Sequence, residues 1–290
     1  MRLGVVGLIP SDFASFDDVQ ARHIRSMGFT GVAAHVSGDP FAARESGLRH
    51  LRAVLDANGL RLVQFWGWYP SLVTEDAAVR RQGIDAAREI VRLGAFMGAD
   101  MVGIRPTSMS PNGAWSPDAA NYLPATEDRL VDSLRAIAAA CADHGLPMAL
   151  ECHVTTTLSS AEIVRRVIRR TGSPWIKVNL DPVNFVCSIP LAYHNTALLN
   201  DLFDELGEYI AAAHIKDVKV DDNHVVHISE TPPGTGLLDF DTLFRRYEAL
   251  LPDGYALIEH LPPEQIPAAA TFVQQKLRDL QIPVKDETNE

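Results

Sequence analysis

The chain has only three cysteines in 290 residues, Cys141, Cys152 and Cys187, widely spaced and with no C-x-x-C pair. An odd, scattered set argues against a disulfide framework and against a thiolate zinc site, and it suits a reducing cytosol. Positive charge is also short: 26 Lys and Arg stand against 37 Asp and Glu, a formal net charge of −11. Binding a phosphate backbone relies on clustered Lys and Arg, so a nucleic-acid partner is not expected. No apolar run is long enough to span a bilayer, and Arg2 leads straight into the short segment Leu3–Gly7 without the pattern of a secretory leader. The expectation is a cytoplasmic protein with no membrane partner. No strand-like segment is followed by G-x-G-x-x-G, which removes the usual fingerprint of an open dinucleotide-binding sheet. A linker rich in Pro, Gly or Ser is missing too, so one domain is expected over residues 1–283, followed by a polar tail at 284–290.

What the chain does have is a repeated phrase: a helical stretch, a Gly, one or two linking residues, then a short apolar strand. It occurs as Met27-Gly28 before Gly31–Val36, and as Asn58-Gly59 before Arg61–Trp66. It returns as Met97-Gly98 before Met101–Arg105, and as His144-Gly145 before Pro147–His153. Gly fits because the residue after a helix often turns left-handed. The strands are nearly continuous Val, Ile, Leu and Ala, as strands covered on both faces read. Phe16–Met27, Glu45–Asn58, Ala77–Met97 and Glu127–His144 carry helical periodicity, with Ser15 and Thr126 as expected caps. Adding Leu3–Gly7, Ile176–Leu180, Ile210–Ile215 and Tyr255–Glu259 gives about eight strands. The fold class is therefore α/β, a single (β/α)₈ TIM barrel.

In such a barrel function collects at the C-terminal ends of the strands. The early strands end in His35, Trp66 and Arg105; the last four end in Glu151 with His153, Asp181, His214 with Lys216 and Asp217, and Glu259 with His260. A carboxylate directly after apolar residues is costly to bury unless it is paired or bound to a cation. One such residue would read as a strand end bonded to a loop; four on successive strands read as a shared ligand set. Glu151, Asp181, His214 and Glu259 form a hard, oxygen-rich site suited to manganese, magnesium or cobalt, with zinc also compatible. Cys152 alternates away from the face shared by Glu151 and His153 and is not expected to ligate.

These residues resemble a known family, the xylose isomerase-like barrels of sugar phosphate isomerases and epimerases, which include the ketose 3-epimerases. The resemblance runs over nearly the whole chain. It is carried by Leu150-Glu151-Cys152-His153, Asn179-Leu180-Asp181-Pro182-Val183-Asn184, His214-Ile215-Lys216-Asp217, Pro233-Gly234-Thr235-Gly236 with Asp239, and Ile258-Glu259. The resemblance implies one divalent cation, commonly manganese, on Glu151, Asp181, His214 and Glu259, with Glu151 and Glu259 as the proton-transfer pair. Many epimerases carry a His three residues after the metal-binding Asp, and here Asn184 stands at that position. An amide can bond a sugar hydroxyl but carries no charge near neutral pH.

The implied reaction removes a proton beside a carbonyl of a sugar, through a metal-stabilised enediolate, and returns it to the opposite face or the adjacent carbon. His153 and Lys216 share strand faces with Glu151 and His214 and are expected substrate contacts, His153 either directly or through a ligand. Arg105 either holds a hydroxyl or phosphate or lines the barrel mouth in an ion pair. Trp66, with Trp68 and Tyr69, either stacks on the sugar or fills the core. His35 and His227 complete the substrate candidates, His227 on a long segment, Lys219–Asp239, that reads as a lid. Other readings of the same scaffold are a lyase or dehydratase acting on keto-sugars or 3-keto-glycosides, a non-catalytic sugar-binding barrel, and an abasic-site endonuclease. The endonuclease needs several zinc ions and a basic face. The expected partner is a small sugar or keto-sugar, and pairing into a homo-oligomer is compatible with the family.

Overall fold

Gly28, Gly59, Gly98 and Gly145, which close the first four helical stretches, have φ of 86°, 61°, 70° and 64°. A Cβ is strained in that left-handed region, so glycine turns the chain out of each helix at least cost. The strands that follow are short and buried. A computed structural model describes residues 1–286. It contains parallel strands β1 (Arg2–Val5), β2 (Gly31–Val36), β3 (Arg61–Gly67), β4 (Met101–Ile104), β5 (Met148–Glu151), β6 (Ile176–Leu180) and β7 (Ile210–Ile215). A hairpin of β8 (Asp217–Val220) and β9 (Ile228–Thr231) precedes the last barrel strand, β10 (Tyr255–Ile258). The order β1-β10-β7-β6-β5-β4-β3-β2 closes on itself, and β8 pairs antiparallel with β9 as a separate two-stranded sheet. The fold is the expected α/β barrel of eight parallel strands.

Helices α1 (Asp18–Ser26), α2 (Glu45–Ala57), α3 (Ala77–Met97), α4 (Pro124–His144), α5 (Ala161–Thr171), α6 (Ile189–Tyr193), α7 (Thr196–Leu206), α8 (Phe240–Leu250) and α9 (Ile266–Asp279) occupy the connections. Two expected caps move. Asp17, not Ser15, caps α1 in a reciprocal capping box with Gln20, while the Ser15 hydroxyl donates to Asp12 O in the preceding turn. Helix α4 starts three residues before Glu127, because Pro124 is pre-set for a first helical turn; Thr126 instead donates its hydroxyl to Ala120 O.

The apolar interior has two parts. The larger lies between strands and helices and includes Phe65, Ile90, Leu134, Val164 and Phe244. The smaller fills the barrel itself with Ala33, Val63, Trp66, Met101, Ala149, Ala212, Tyr255 and Leu257. Three of these eight are alanine, packed among the larger Trp66, Met101, Tyr255 and Leu257. All three cysteines are free, Cys141 and Cys152 buried and Cys187 exposed. Among the described residues no helix is long and apolar enough to cross a membrane. Of the polar tail, 284–286 are described: Lys285 donates its N–H to Met1 O at 2.9 Å and Arg25 bonds Asp286, so these residues are tied down. Residues 287–290 lie outside the described residues.

Candidate metal centre

Strands β5, β6, β7 and β10 are neighbours in the barrel, and each delivers one polar side chain to its upper end. Glu151 closes β5, Asp181 follows β6, His214 sits in β7 opposite Leu257, and Glu259 follows β10. One ligand atom from each of the four lies within 4.8 Å of all the others. All four are buried, from 1% exposed for Asp181 and His214 to 7% for Glu151. His214 Nδ1 is 2.8 Å from Glu259 Oε2 and 3.3 Å from Glu151 Oε1. Asp181 Oδ2 and Glu259 Oε1 lie 2.7 and 3.0 Å from Lys216 Nζ. Yet among the described residues neither oxygen, nor His214 Nδ1, has a partner in hydrogen-bond geometry. Buried polar atoms are rarely left in that state. Converging, unaligned donors of three carboxylates and one imidazole fit a hard divalent cation, so the cluster can hold a metal ion.

The charges are strongly coupled. Burial pushes the Asp181 pKa up to about 7, against the pull of Lys216. Burial alone would raise Glu259 as well, but His214 and Lys216 outweigh it and hold that carboxyl well below its usual range. Burial opposes charge on His214, yet Glu259 and Glu151 carry its pKa up to about 10. Lys216 is likewise held above its usual value, with Asp181 and Glu259 outweighing the cost of burial.

A cavity of about 210 Å³ opens directly over this cluster. Its lining includes His35, Trp66, Arg105 and Trp115 beside Glu151, His214, Glu259 and His260. A larger depression of about 630 Å³, near Arg2, Asp100 and Asp253, is at the opposite end of the barrel. Chemistry in this architecture is at the C-terminal end, so the smaller cavity is the relevant one.

A sequence profile of xylose isomerase-like TIM barrels matches residues 21–276. The chain belongs to that family. No curated protein matches it significantly in sequence. Among solved structures it is similar to the 3-keto-D-glucoside 4-epimerase YcjR of E. coli, at 20% identity and TM-score 0.69 over 97% of this chain and 99% of that one. A xylose isomerase-like barrel protein of Mycobacterium smegmatis, in complex with magnesium, matches at 17% identity and TM-score 0.72 over 96% of each chain. The probable 3-DHS dehydratase AsbF of Bacillus anthracis matches at 14% identity and TM-score 0.70, over 94% of this chain and 98% of that one. At these identities the likeness is one of fold.

Within this family barrel the expected substrate residues separate into two groups. His35, Trp66 and Arg105 line the cavity. Among the described residues Arg105 has no ion-pair partner; its guanidinium lies over the Tyr69 ring and donates to Gly67 O at 2.6 Å. Burial, then the Arg105 charge, lowers the His35 pKa. Tyr69 is buried and Trp68 is exposed, so Trp66 alone of that aromatic cluster borders the cavity. Lys216 and Asn184 do not border the cavity but touch the ligand set: Asn184 Oδ1 accepts from Lys216 Nζ at 3.2 Å, and Asn184 Nδ2 donates weakly to Glu151 Oε1 at 3.5 Å. His153 stands apart, accepting at Nδ1 from the Thr155 N–H and packed against Trp115. His227 lies exposed near the tip of the β8–β9 hairpin, away from the cavity.

Three residues near the site had no assigned role in the sequence. Trp115 comes from the long loop after β4, where no strand end marked it. Glu230, on β9, reaches over the rim: its Oε2 is 2.8 Å from His260 Nδ1. The third, Gln64, was legible only as a lone polar residue inside the apolar run Leu62–Trp66. The Asp217 of the His214-Ile215-Lys216-Asp217 motif does not face the cavity at all. Its carboxylate accepts from the backbone N–H groups of Val218, Gly234, Gly236 and Leu238, clamping the Pro233–Gly236 turn to β8.

Proposed function

We propose that the chain is a divalent-metal-dependent sugar isomerase or epimerase that moves a proton at a carbon beside a carbonyl. The observation that carries this reading is the pair of carboxylates, Glu151 and Glu259, converging on His214 Nδ1 beneath one cavity. Glu151, Asp181, His214 and Glu259 would hold the ion, with manganese the first choice and magnesium, cobalt or zinc compatible. When bound, the ion would neutralise charge developing on the substrate oxygens.

The residues of the chain then divide the remaining work. One of Glu151 and Glu259 takes the proton and the other returns it, as general base and general acid. Asn184 and Lys216 do not border the cavity; they would steady the carboxylates of the ligand set, Asn184 at Glu151 and Lys216 at Asp181 and Glu259. Trp66 and Trp115 present apolar surface to the face of a sugar and exclude water. The cavity volume suits a compact, monosaccharide-sized ligand. A 3-keto-D-glucoside epimerase among the similar structures supports epimerisation, and the dehydratase supports elimination from the same proton abstraction. An endonuclease is disfavoured by the charge of −11 and by the single ligand cluster among the described residues.

The test is incubation of metal-loaded protein in D₂O with a panel of ketoses and 3-keto-glycosides, read by mass spectrometry and NMR. Deuterium beside the carbonyl in a product of conserved composition supports isomerisation or epimerisation. A product that has lost water or split assigns a dehydratase or lyase, and no exchange with any member leaves only a sugar-binding role.

A further inference from the structure

We propose that Gln64 is a positioning residue: it holds His214 with its proton on Nε2, turns Nδ1 toward the carboxylates, and thereby sets the metal affinity of the centre. This rests on the reading that the cluster binds a divalent cation. Gln64 is fully buried, at 0% exposure, in the middle of β3. Its Oε1 accepts from Trp66 Nε1 at 3.0 Å and lies 2.9 Å from His214 Nε2, while its Nε2 donates to Asn179 Oδ1 at 2.9 Å.

Chemistry fixes the direction of that amide. An indole N–H can only donate, so the end of Gln64 that meets Trp66 is the oxygen. The same oxygen meets His214 Nε2, which must therefore bear hydrogen. A neutral imidazole protonated at Nε2 keeps its lone pair on Nδ1, and Nδ1 is the atom that faces Glu151 and Glu259. Metal-bound histidines generally donate their other ring N–H to an acceptor that fixes ring and tautomer. Gln64 supplies that acceptor from the far side of the barrel, 150 residues away in sequence.

Two backbone features exist to place it. Along β2 and β3, Val32 pairs with Leu62 but Ala33 pairs with Gln64, so Val63 is the extra residue of a bulge. Val63 packs inside the barrel, and strict alternation would then send Gln64 outward; the bulge turns it inward with Trp66. On the next strand, a Cβ at Gly103 would come within 2.1 Å of the Trp66 ring. The missing side chain is what allows the indole to lie where it can orient the amide. An apolar residue would fill the Gln64 space without a polar group to satisfy, so the amide calls for a role beyond packing.

The test uses Gln64→Met, which keeps the shape and removes the acceptor, and Gln64→Glu, which keeps the acceptor. In the second, Asn179 Nδ2, which has no hydrogen-bond partner among the described residues, can turn to meet the new carboxylate. Calorimetric titration of chelator-stripped protein with Mn²⁺ should show about 10- to 100-fold weaker binding for Gln64→Met and near wild-type binding for Gln64→Glu. In Mg²⁺-loaded wild-type protein, ¹⁵N NMR should find the His214 proton on Nε2. A folded Gln64→Met with wild-type affinity overturns the proposal, as does an equal loss in both variants. A His214 proton found on Nδ1 overturns it without any variant. Wild-type protein that binds no divalent ion overturns the metal reading itself, an outcome distinct from these.

Discussion

Lys216 Nζ lies 2.7 Å from Asp181 Oδ2, and neither side chain is more than 2% exposed. This buried ammonium also reaches Glu259 Oε1 at 3.0 Å, so one cation already sits among three acids, Glu151, Asp181 and Glu259. The raised His214 pKa makes that ring a second cation in the absence of metal; once an ion takes Nδ1 and the ring is neutral, the two remaining negative charges match one divalent cation. Removing one member of a buried pair leaves the other uncompensated, at a cost of about 3–5 kcal/mol. Lys216→Met should therefore lose about that much in urea unfolding with EDTA present. In excess Mn²⁺ the deficit should shrink, because the variant site carries one more uncompensated negative charge and so gains more from binding a cation than wild type does. Equal deficits with and without the ion would count against this charge balance.

The two glutamates are separable from the scaffold by isosteric change. Glu259→Gln and Glu151→Gln should each lower turnover by about 10²–10⁴ through loss of proton transfer. Elemental analysis of the purified variants shows how much metal each retains, which separates a lost ligand from a lost proton carrier. A Glu259→Gln enzyme that holds its metal and turns over normally would remove that residue from the proton-transfer role.

Asp217 is expected to matter for structure rather than chemistry. Asp217→Ala abandons four backbone N–H groups and should cost about 3 kcal/mol. Amide exchange at Gly234, Gly236 and Leu238 should accelerate far more than exchange in β7. Gly236→Ala should act similarly, because its Cβ would meet Val218 O at 2.4 Å and Asp217 Oδ1 at 2.5 Å. Unchanged exchange in the turn would refute the clamp.

On the outer face, Glu127 of α4 bridges Arg166 and Arg170 of α5 at 2.7 Å each. The hydrogen bond from Arg166, then that from Arg170, outweighs burial and lowers the Glu127 pKa from 4.5. A depressed folded-state pKa gives stability that is complete above the unfolded value and is lost as pH falls through the folded one. Glu127→Gln should thus cost about 1 kcal/mol near neutral pH, after allowance for solvent screening. The gap should narrow steadily below pH 4.5, as read from denaturant midpoints across that range. A gap independent of pH would show that packing, not charge, is responsible.

Much of the barrel was legible because its signals are local. Left-handed glycines ended the helices at Gly98 and Gly145, and short segments rich in Val, Ile, Leu and Ala set Gly31–Val36, Ile176–Leu180 and Ile210–Ile215 with the same bounds as the strands observed. The caps were less secure, since Asp17 and Ser15 are near neighbours with equal claims and a proline outweighed Thr126. The hairpin of β8 and β9, which starts at Asp217 and overlaps the segment Lys219–Asp239, escaped notice because each of its strands is only four residues long.

The feature common to Glu151, Asp181, His214 and Glu259, an ionisable group directly after an apolar strand, is a property of the chain alone and marked all four in advance. That they converge within 4.8 Å, with Lys216 among them, is a property of the closed barrel, because it depends on which strands are neighbours. Gln64 lies at the limit of what a sequence holds. Its polarity can be read from the chain, but its direction cannot, because one extra residue in β3 reverses which face it takes. The sequence determined which groups arrive at the top of the barrel. Only the tertiary structure, through strand register and hydrogen bonds spanning 150 residues, decided which atom of each faces the centre.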